Sequence, residues 1–284
     1  MEIKSAIAEN KKIFGNMASL GLLQIANYLI PIAVLPFIVR SLGVEMIGKV
    51  SYAQNIIQYF TIIILFGFDY SATREIAIHK DDHETVKRIF WSVVCLKTVL
   101  LALSFSGLLL MSVLWGKVQN DLILYLVVFL VNIGFAFFPS WFFQGMEDMK
   151  TMALLNFLTK FFGTGLSVFF INSPEDYLIF AAMPAVAYMV FGLFSFGYVI
   201  KKYDLSGFGE YDLKKDIAHQ FKLSFPIFLN SFFTTLYTTA NITILGLFIP
   251  SDYTVGIFSG AHKIIMCVLM ITSMPINVAI YPSI

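Results

Sequence analysis

Three lysines stand inside apolar stretches of the chain: Lys97, Lys160 and Lys263. An ammonium group in a bilayer core costs roughly 2.5 kcal/mol or more even on a lenient insertion scale, so it has to meet water, a partner or an anion. Such a lysine should face a wet cavity or a paired partner, and the plainer reading is a hydrogen bond to a neighbouring helix. Around these lysines lie uncharged polar side chains at helical spacing. Asn230, Thr234, Thr238 and Asn241 follow one another at intervals of four, four and three and so share a helix face. Ser51, Gln54, Asn55 and Gln58 form a second group, Gln24 and Asn27 a third, and Ser259, His262 and Lys263 a fourth. Amides and hydroxyls of this kind suit the lining of a shared aqueous cavity, and they also serve as glue between membrane helices. Lys160 and Lys263 fall near the middle of their stretches. Lys97 lies nearer one end, from which its side chain could snorkel to the interface. His262 could couple a transport step to protons.

The elements that position these residues are apolar stretches at approximately 13–39, 50–68, 89–115, 122–146, 151–171, 177–200, 223–249 and 253–284. Each can cross a hydrocarbon core of about 30 Å at 1.5 Å per residue. Hydrophobic residues make up 58% of the chain and charged residues 13%, with 30 phenylalanines in 284 residues. A soluble fold runs near 25% charged and could not hide so much apolar surface. The expectation is an all-α, polytopic membrane helical bundle. No alternating pattern of barrel strands appears. The net charge of +1 gives no electrostatic basis for nucleic acid. Cys95 and Cys267 both sit in apolar stretches and read as small buried hydrophobes.

Lysine and arginine set the expected orientation. Thirteen fall on the side of the N-terminus, among them Lys4, Lys11, Lys12, Arg74, Lys80, Lys150 and the five between 201 and 222. Only Arg40, Lys49 and Lys117 fall opposite. The N-terminus is therefore expected in the cytoplasm, and the stretch following Lys12 is a retained membrane helix rather than a signal peptide. Pro31 and Pro36 can bend that helix.

An internal repeat divides the chain. Residues 48–57, GKVSYAQNII, return at an offset of 208 as residues 256–265, GIFSGAHKII. Five of ten positions agree, and where the first copy has Gln54 and Asn55 the second has His262 and Lys263. The reading is a six-helix N-terminal lobe over 1–205, a cytoplasmic linker over 206–222, and the start of a second lobe over 223–284. That second lobe shows two helices, so the repeat leads one to expect about four more beyond this sequence. His79 and His83 beside Asp81, Asp82 and Glu84 read as a solvated connection. No nucleotide-binding loop, nucleophile elbow, zinc motif or other sign of a cofactor is present.

Three segments carry a resemblance. Leu65-Phe-Gly-Phe-Asp-Tyr-Ser-Ala-Thr-Arg-Glu-Ile-Ala77, Pro139-Ser-Trp-Phe-Phe-Gln-Gly-Met-Glu-Asp-Met-Lys150 and Leu35-Pro-Phe-Ile-Val-Arg-Ser-Leu-Gly43 resemble helix ends in Wzx-type O-antigen and polysaccharide flippases. The resemblance implies a MATE-like fold of two six-helix lobes with helices one, two, seven and eight lining a central cavity; about 8 of an expected 12 helices are present. It implies a protein that moves a polyprenyl-diphosphate-linked oligosaccharide across the bacterial cytoplasmic membrane, among membrane lipids and other polysaccharide-assembly membrane proteins, and that is not an enzyme. Arg74, Glu75, Gln144, Gly145 and Glu147 would hold helix ends and gate the inner side, with Asp69 and Lys97 beside them. Lys263 and Lys160 would meet the diphosphate, and the amides and hydroxyls the sugars. Two rivals stay open: a small-molecule exporter on the same fold, which needs acids at the midplane, and a membrane glycosyltransferase or polymerase, which needs large outer loops.

Overall fold

The computed structural model describes residues 29–207, 213–249, 251–266 and 268–269 in full, and 2–28, 267 and 270–280 as helical backbone only. Lys4, Lys11, Lys12, Gln24, Asn27 and Cys267 therefore lie outside the described side chains. The described elements are helices throughout.

The first two apolar stretches are joined in one long helix, α1 (Glu2–Leu65), with no loop between them. The break falls at Gly43, whose φ of 77° and ψ of 161° separate an arm over 2–42 from an arm over 44–65. That positive φ is open to glycine and costly for other residues. A second break follows at Phe66 and Gly67, with φ of 47° and 80°, and leads into the short α2 (Phe68–Ile78). Asp69 thus falls in the first turn of a helix of its own.

Asp82 caps α3 (His83–Leu114), accepting from the Thr85 backbone N–H at 3.2 Å and its hydroxyl at 2.6 Å. The 122–146 stretch is segmented into α5 (Leu122–Phe129), α6 (Val131–Phe137) and α7 (Ser140–Gly145), after the short α4 (Gly116–Asn120). Pro139 lacks the N–H that would continue α6 into α7. The 151–171 stretch is α8 (Met149–Lys160), a π turn over Phe161–Gly165, and α9 (Ser167–Phe170). Then come α10 (Tyr177–Lys202), α11 (Leu213–Phe248) and α12 (Asp252–Ile280).

α11 begins inside the expected linker. Ile217 packs on the buried cluster around Phe90 and Trp141, and Gln220 and Ser224 are buried. Residues 217, 220 and 224 share a face, so tertiary contact winds the charged 213–222 segment into helix. Five helical runs among the described residues are long and apolar enough to cross a membrane: Leu29–Ile78, His83–Leu114, Leu122–Gly145, Met149–Phe170 and Pro174–Lys202. The polar face of α11 dilutes its apolarity below theirs.

Lys97 departs from expectation. Its side chain does not snorkel: it is 1% exposed, and its Nζ donates to the Phe135 carbonyl of α6 at 2.8 Å. The path outward is filled by the packed cluster of Ile89, Phe90 and Val93, so the nearest acceptor is the backbone of a neighbouring helix.

Candidate functional site

The second arm of α1 lies against α11 and α12, and this seam is where the two copies of the repeat meet. A Cβ added at Gly48 would land on the Asp252 carbonyl oxygen and the Gly256 nitrogen; one added at Gly256 would land on the Val44 carbonyl oxygen. Val44 and Asp252 are themselves 208 apart, as are Gly48 and Gly256, so each repeat glycine is pressed against the equivalent turn of the other copy. The contact has approximate two-fold character, and only a residue without a side chain lets the backbones approach so closely.

Polar groups line the seam beyond these glycines. Ser51 and Ser259, again 208 apart, are 5% and 1% exposed. Lys263 is half-buried and directs its Nζ at the Ser51 hydroxyl, 3.5 Å away. Thr243 donates to Asn55 Oδ1 at 2.6 Å. Its hydroxyl proton being spent there, the 2.8 Å contact with Tyr59 OH is a bond donated by the tyrosine. Tyr59, Thr243 and Asn55 thus form a hydrogen-bonded chain between α1 and α11. Toward the lysine-poor end, Lys117 lies over the Tyr52 ring at 4.1 Å, donates to the Gly246 carbonyl at 3.0 Å and stands 3.9 Å from Asp252. Lys49 pairs with Asp121 at 2.6 Å.

The structure brings some of the expected residues together and leaves others apart. Ser51 meets Lys263, and Asn55 reaches α11, but its partner is Thr243 rather than the stripe member Asn241. Asn230, Thr234 and Asn241 are exposed, and Thr238 turns its hydroxyl back to the Thr234 carbonyl at 2.9 Å. Gln54 and Gln58 are half-buried, and His262 stacks on Phe258, ring centroids 6.3 Å apart. Lys160 is remote from Lys263 in its contacts; its Nζ lies over the Tyr188 ring of α10 at 5.3 Å. Tyr59 and Thr243 were missed: Tyr59 lies one turn beyond Asn55, whereas Thr243, two residues past Asn241, lies off the 230–241 stripe.

The motif residues at the lysine-rich end form an interlocked unit. Ser140 donates to Asp69 Oδ1 at 2.8 Å, and the Thr73 hydroxyl reaches the Trp141 carbonyl at 3.1 Å. A Cβ at Gly145 would strike Ile76 and the Thr73 carbonyl. α2 and α7 are thereby clamped. Glu147, at a φ of 58°, accepts from Lys80 at 3.3 Å, while Gln144 makes only a long 3.6 Å approach to the Met152 sulfur. Arg74 is exposed, and Glu75 faces His219 at 3.7 Å. The two histidines of the 79–84 connection go to backbone: His79 Nδ1 is 3.0 Å from the Glu75 carbonyl, and His83 Nε2 is 3.0 Å from the Tyr203 carbonyl.

Asp148, just before α8, ties that helix to the end of α10. It accepts from Lys202 at 2.6 Å and from the Thr151 hydroxyl at 2.7 Å. Burial pushes its carboxyl up, but the ammonium and hydroxyl outweigh burial and hold it below its ordinary value. A depressed carboxyl contributes stability that is present above its ordinary pKa of about 3.9 and lost as pH falls through the lower folded value. Asp148→Asn is therefore expected to lower the melting temperature near neutral pH and to flatten its decline below about pH 4. Melting followed across pH 3 to 7 checks this; an unchanged decline would place the acid sensitivity elsewhere.

A bundle of long apolar helices, with charge confined to its ends and to a few sealed or seam positions, is a polytopic all-α membrane protein. The chain belongs to the family described as "Polysaccharide biosynthesis protein", which it matches over residues 13–284. It is similar to a protein of Escherichia coli (strain K12) named "Putative O-antigen transporter", with 29% identity over 270 residues, 95% of this chain and 64% of that protein. It is also similar to a protein of the same name from Shigella dysenteriae, with 28% identity over 267 residues, 94% of this chain and 66% of that protein. The chain thus spans just under two thirds of the length of these relatives. No solved structure gives a significant match. Family membership agrees with the Wzx-type resemblance of the three helix-end segments.

Proposed function

We propose that this chain supplies the first lobe, and the opening helices of the second, of a flippase that carries a polyprenyl-diphosphate-linked oligosaccharide across the bacterial cytoplasmic membrane by alternating access, with its N-terminus in the cytoplasm. The observation that carries the reading is Lys263. Its ammonium stands in the seam between the halves with a hydroxyl 3.5 Å away as partner, and among the described residues no carboxylate pairs with it. A cation so placed has charge to give to a passing diphosphate. Ser51, Asn55, Tyr59 and Thr243 beside it offer sugar hydroxyls replacement hydrogen bonds, which an apolar route would deny at a cost of several kcal/mol each. The names of the relatives point to the same cargo class.

The exporter alternative needs free acids in the seam. The seam acid Asp252 already faces Lys117, and Asp121 nearby pairs with Lys49, so both are neutralised. Lys263→Ala in the intact protein is expected to reduce surface polysaccharide at least about tenfold with expression unchanged, the scale of one lost charge-assisted bond of 1.5–3 kcal/mol. Lys263→Arg should keep part of the activity. Wild-type amounts of surface polysaccharide in the alanine variant would remove Lys263 from the mechanism.

A further inference from the structure

At the lysine-rich end a second contact joins the halves, and its chemistry is unlike the glycine seam. α11 runs along α2 and α3 and meets them at successive turns. Arg88 of α3 forks onto Asp216, Nε to Oδ2 at 3.1 Å and Nη2 to Oδ1 at 2.7 Å. One turn on, His219 faces Glu75 at 3.7 Å. Another turn on, Ser71 and Ser224 share a buried hydrogen bond of 2.6 Å. The ladder ends where Phe228 stacks on Phe66, centroids 4.6 Å apart and planes within 13°. A pocket of about 230 Å³ is lined by residues of α2, α3 and α11, the fork and Gln220 among them; Gln220 is 2% exposed, and its buried Oε1 has no hydrogen-bond partner among the described residues.

From this ladder we infer that Arg88–Asp216 and Ser71–Ser224 form a releasable inner latch. It holds the lysine-rich face shut between cycles and parts to admit the lipid-linked cargo. The inference rests on the alternating-access reading above. The Arg88 side chain is 46% exposed and that of Asp216 18%, so water can replace each partner of the fork and the net cost of parting is small. The serine pair likewise exchanges one hydroxyl for water. The glycine seam has no such exchange to offer, since its contact is backbone on backbone. Opening is therefore easier at the lysine-rich end, and the buried Gln220 side chain is among the first groups that opening would wet.

The test uses the intact protein, its native cysteines replaced, in everted membrane vesicles. A thiol placed by Gln220→Cys is labelled with a membrane-impermeant maleimide. Arg88→Asp is expected to raise the labelling rate about fivefold or more, and adding Asp216→Arg to return it close to the parent rate. A labelling rate indifferent to Arg88→Asp overturns the latch. As an independent measurement, oxidising the Ser71→Cys/Ser224→Cys pair should stop translocation of lipid-linked oligosaccharide, and reduction should restore it. Undiminished translocation by the cross-linked form also overturns the latch. Labelling that follows the charge swap in a protein moving no lipid-linked oligosaccharide would keep the latch and discard the function proposed above.

Discussion

Gly48→Val and Gly256→Val are each expected to abolish surface polysaccharide and to destabilise the protein by about 3 kcal/mol, the upper part of the range for overpacking. The reason is what the new side chain meets. At Gly48 it meets the Asp252 carbonyl and the Gly256 backbone, and at Gly256 the Val44 carbonyl. These are backbone atoms of packed helices, which cannot rotate out of the way as a flexible side chain would. Relief requires the second arm of α1 and α12 to move apart, which pulls Lys263 from Ser51 and Asn55 from Thr243. Gly260 provides the control. It lies one turn along the same helix, and a Cβ there has nothing within 4 Å. Gly260→Ala should be neutral or gain up to about 1 kcal/mol from helix propensity. Thermal melting of the detergent-solubilised protein, beside surface polysaccharide in cells, separates the cases. Gly48→Ala and Gly256→Ala matching Gly260→Ala would mean that the seam is not closed as described.

Lys97→Glu is the second large effect. Lys97 is sealed within the first lobe with the Phe135 carbonyl at 2.8 Å as its bonding partner. Glutamate there would set a carboxyl group against a carbonyl oxygen with no route to water. Loss of a buried charge's partner costs about 3–5 kcal/mol, and reversal of its sign should reach the top of that range, so little folded protein is expected. Lys97→Met keeps the length and the apolar stem while giving up the hydrogen bond, for a loss of about 1–3 kcal/mol. Folded yield and melting temperature rank the two variants. Equal tolerance of glutamate and methionine would show that water reaches this position.

These three residues mark where sequence reading succeeds and where it stops. The lysine at 97 was legible as an intramembrane charge because the surrounding apolar run is long. Its fate was not, since depth from a helix end says how far an ammonium must reach and nothing about which neighbour stands in the way. The repeat was legible from five matching positions, yet its physical meaning appears only when Gly48 and Gly256 are seen to press on one another's helices. The helix-end segments were legible one at a time. That Asp69 takes the Ser140 hydroxyl, and that Thr73 and Ile76 close on Trp141 and Gly145, depends on α2 and α7 being folded back at Gly67 and Pro139.

By itself the sequence determined an all-α membrane protein and the face of each helix that carries polar groups, and it gave the division into two halves and the side of each charged connection as expectations. Those follow from local quantities: the length of apolar runs, the 3.6-residue period and the distribution of lysine. Only the tertiary structure decided that Asn55 bonds Thr243 and not Asn241, that residues 213–222 of the expected linker are helical, that Lys160 and Lys263 belong to different neighbourhoods, and that Arg88 finds Asp216. Periodicity fixes which residues share a face, but the direction in which that face looks is set by helix rotation and by the breaks at Gly43, Gly67 and Pro139. Those are settled by how all the helices pack at once.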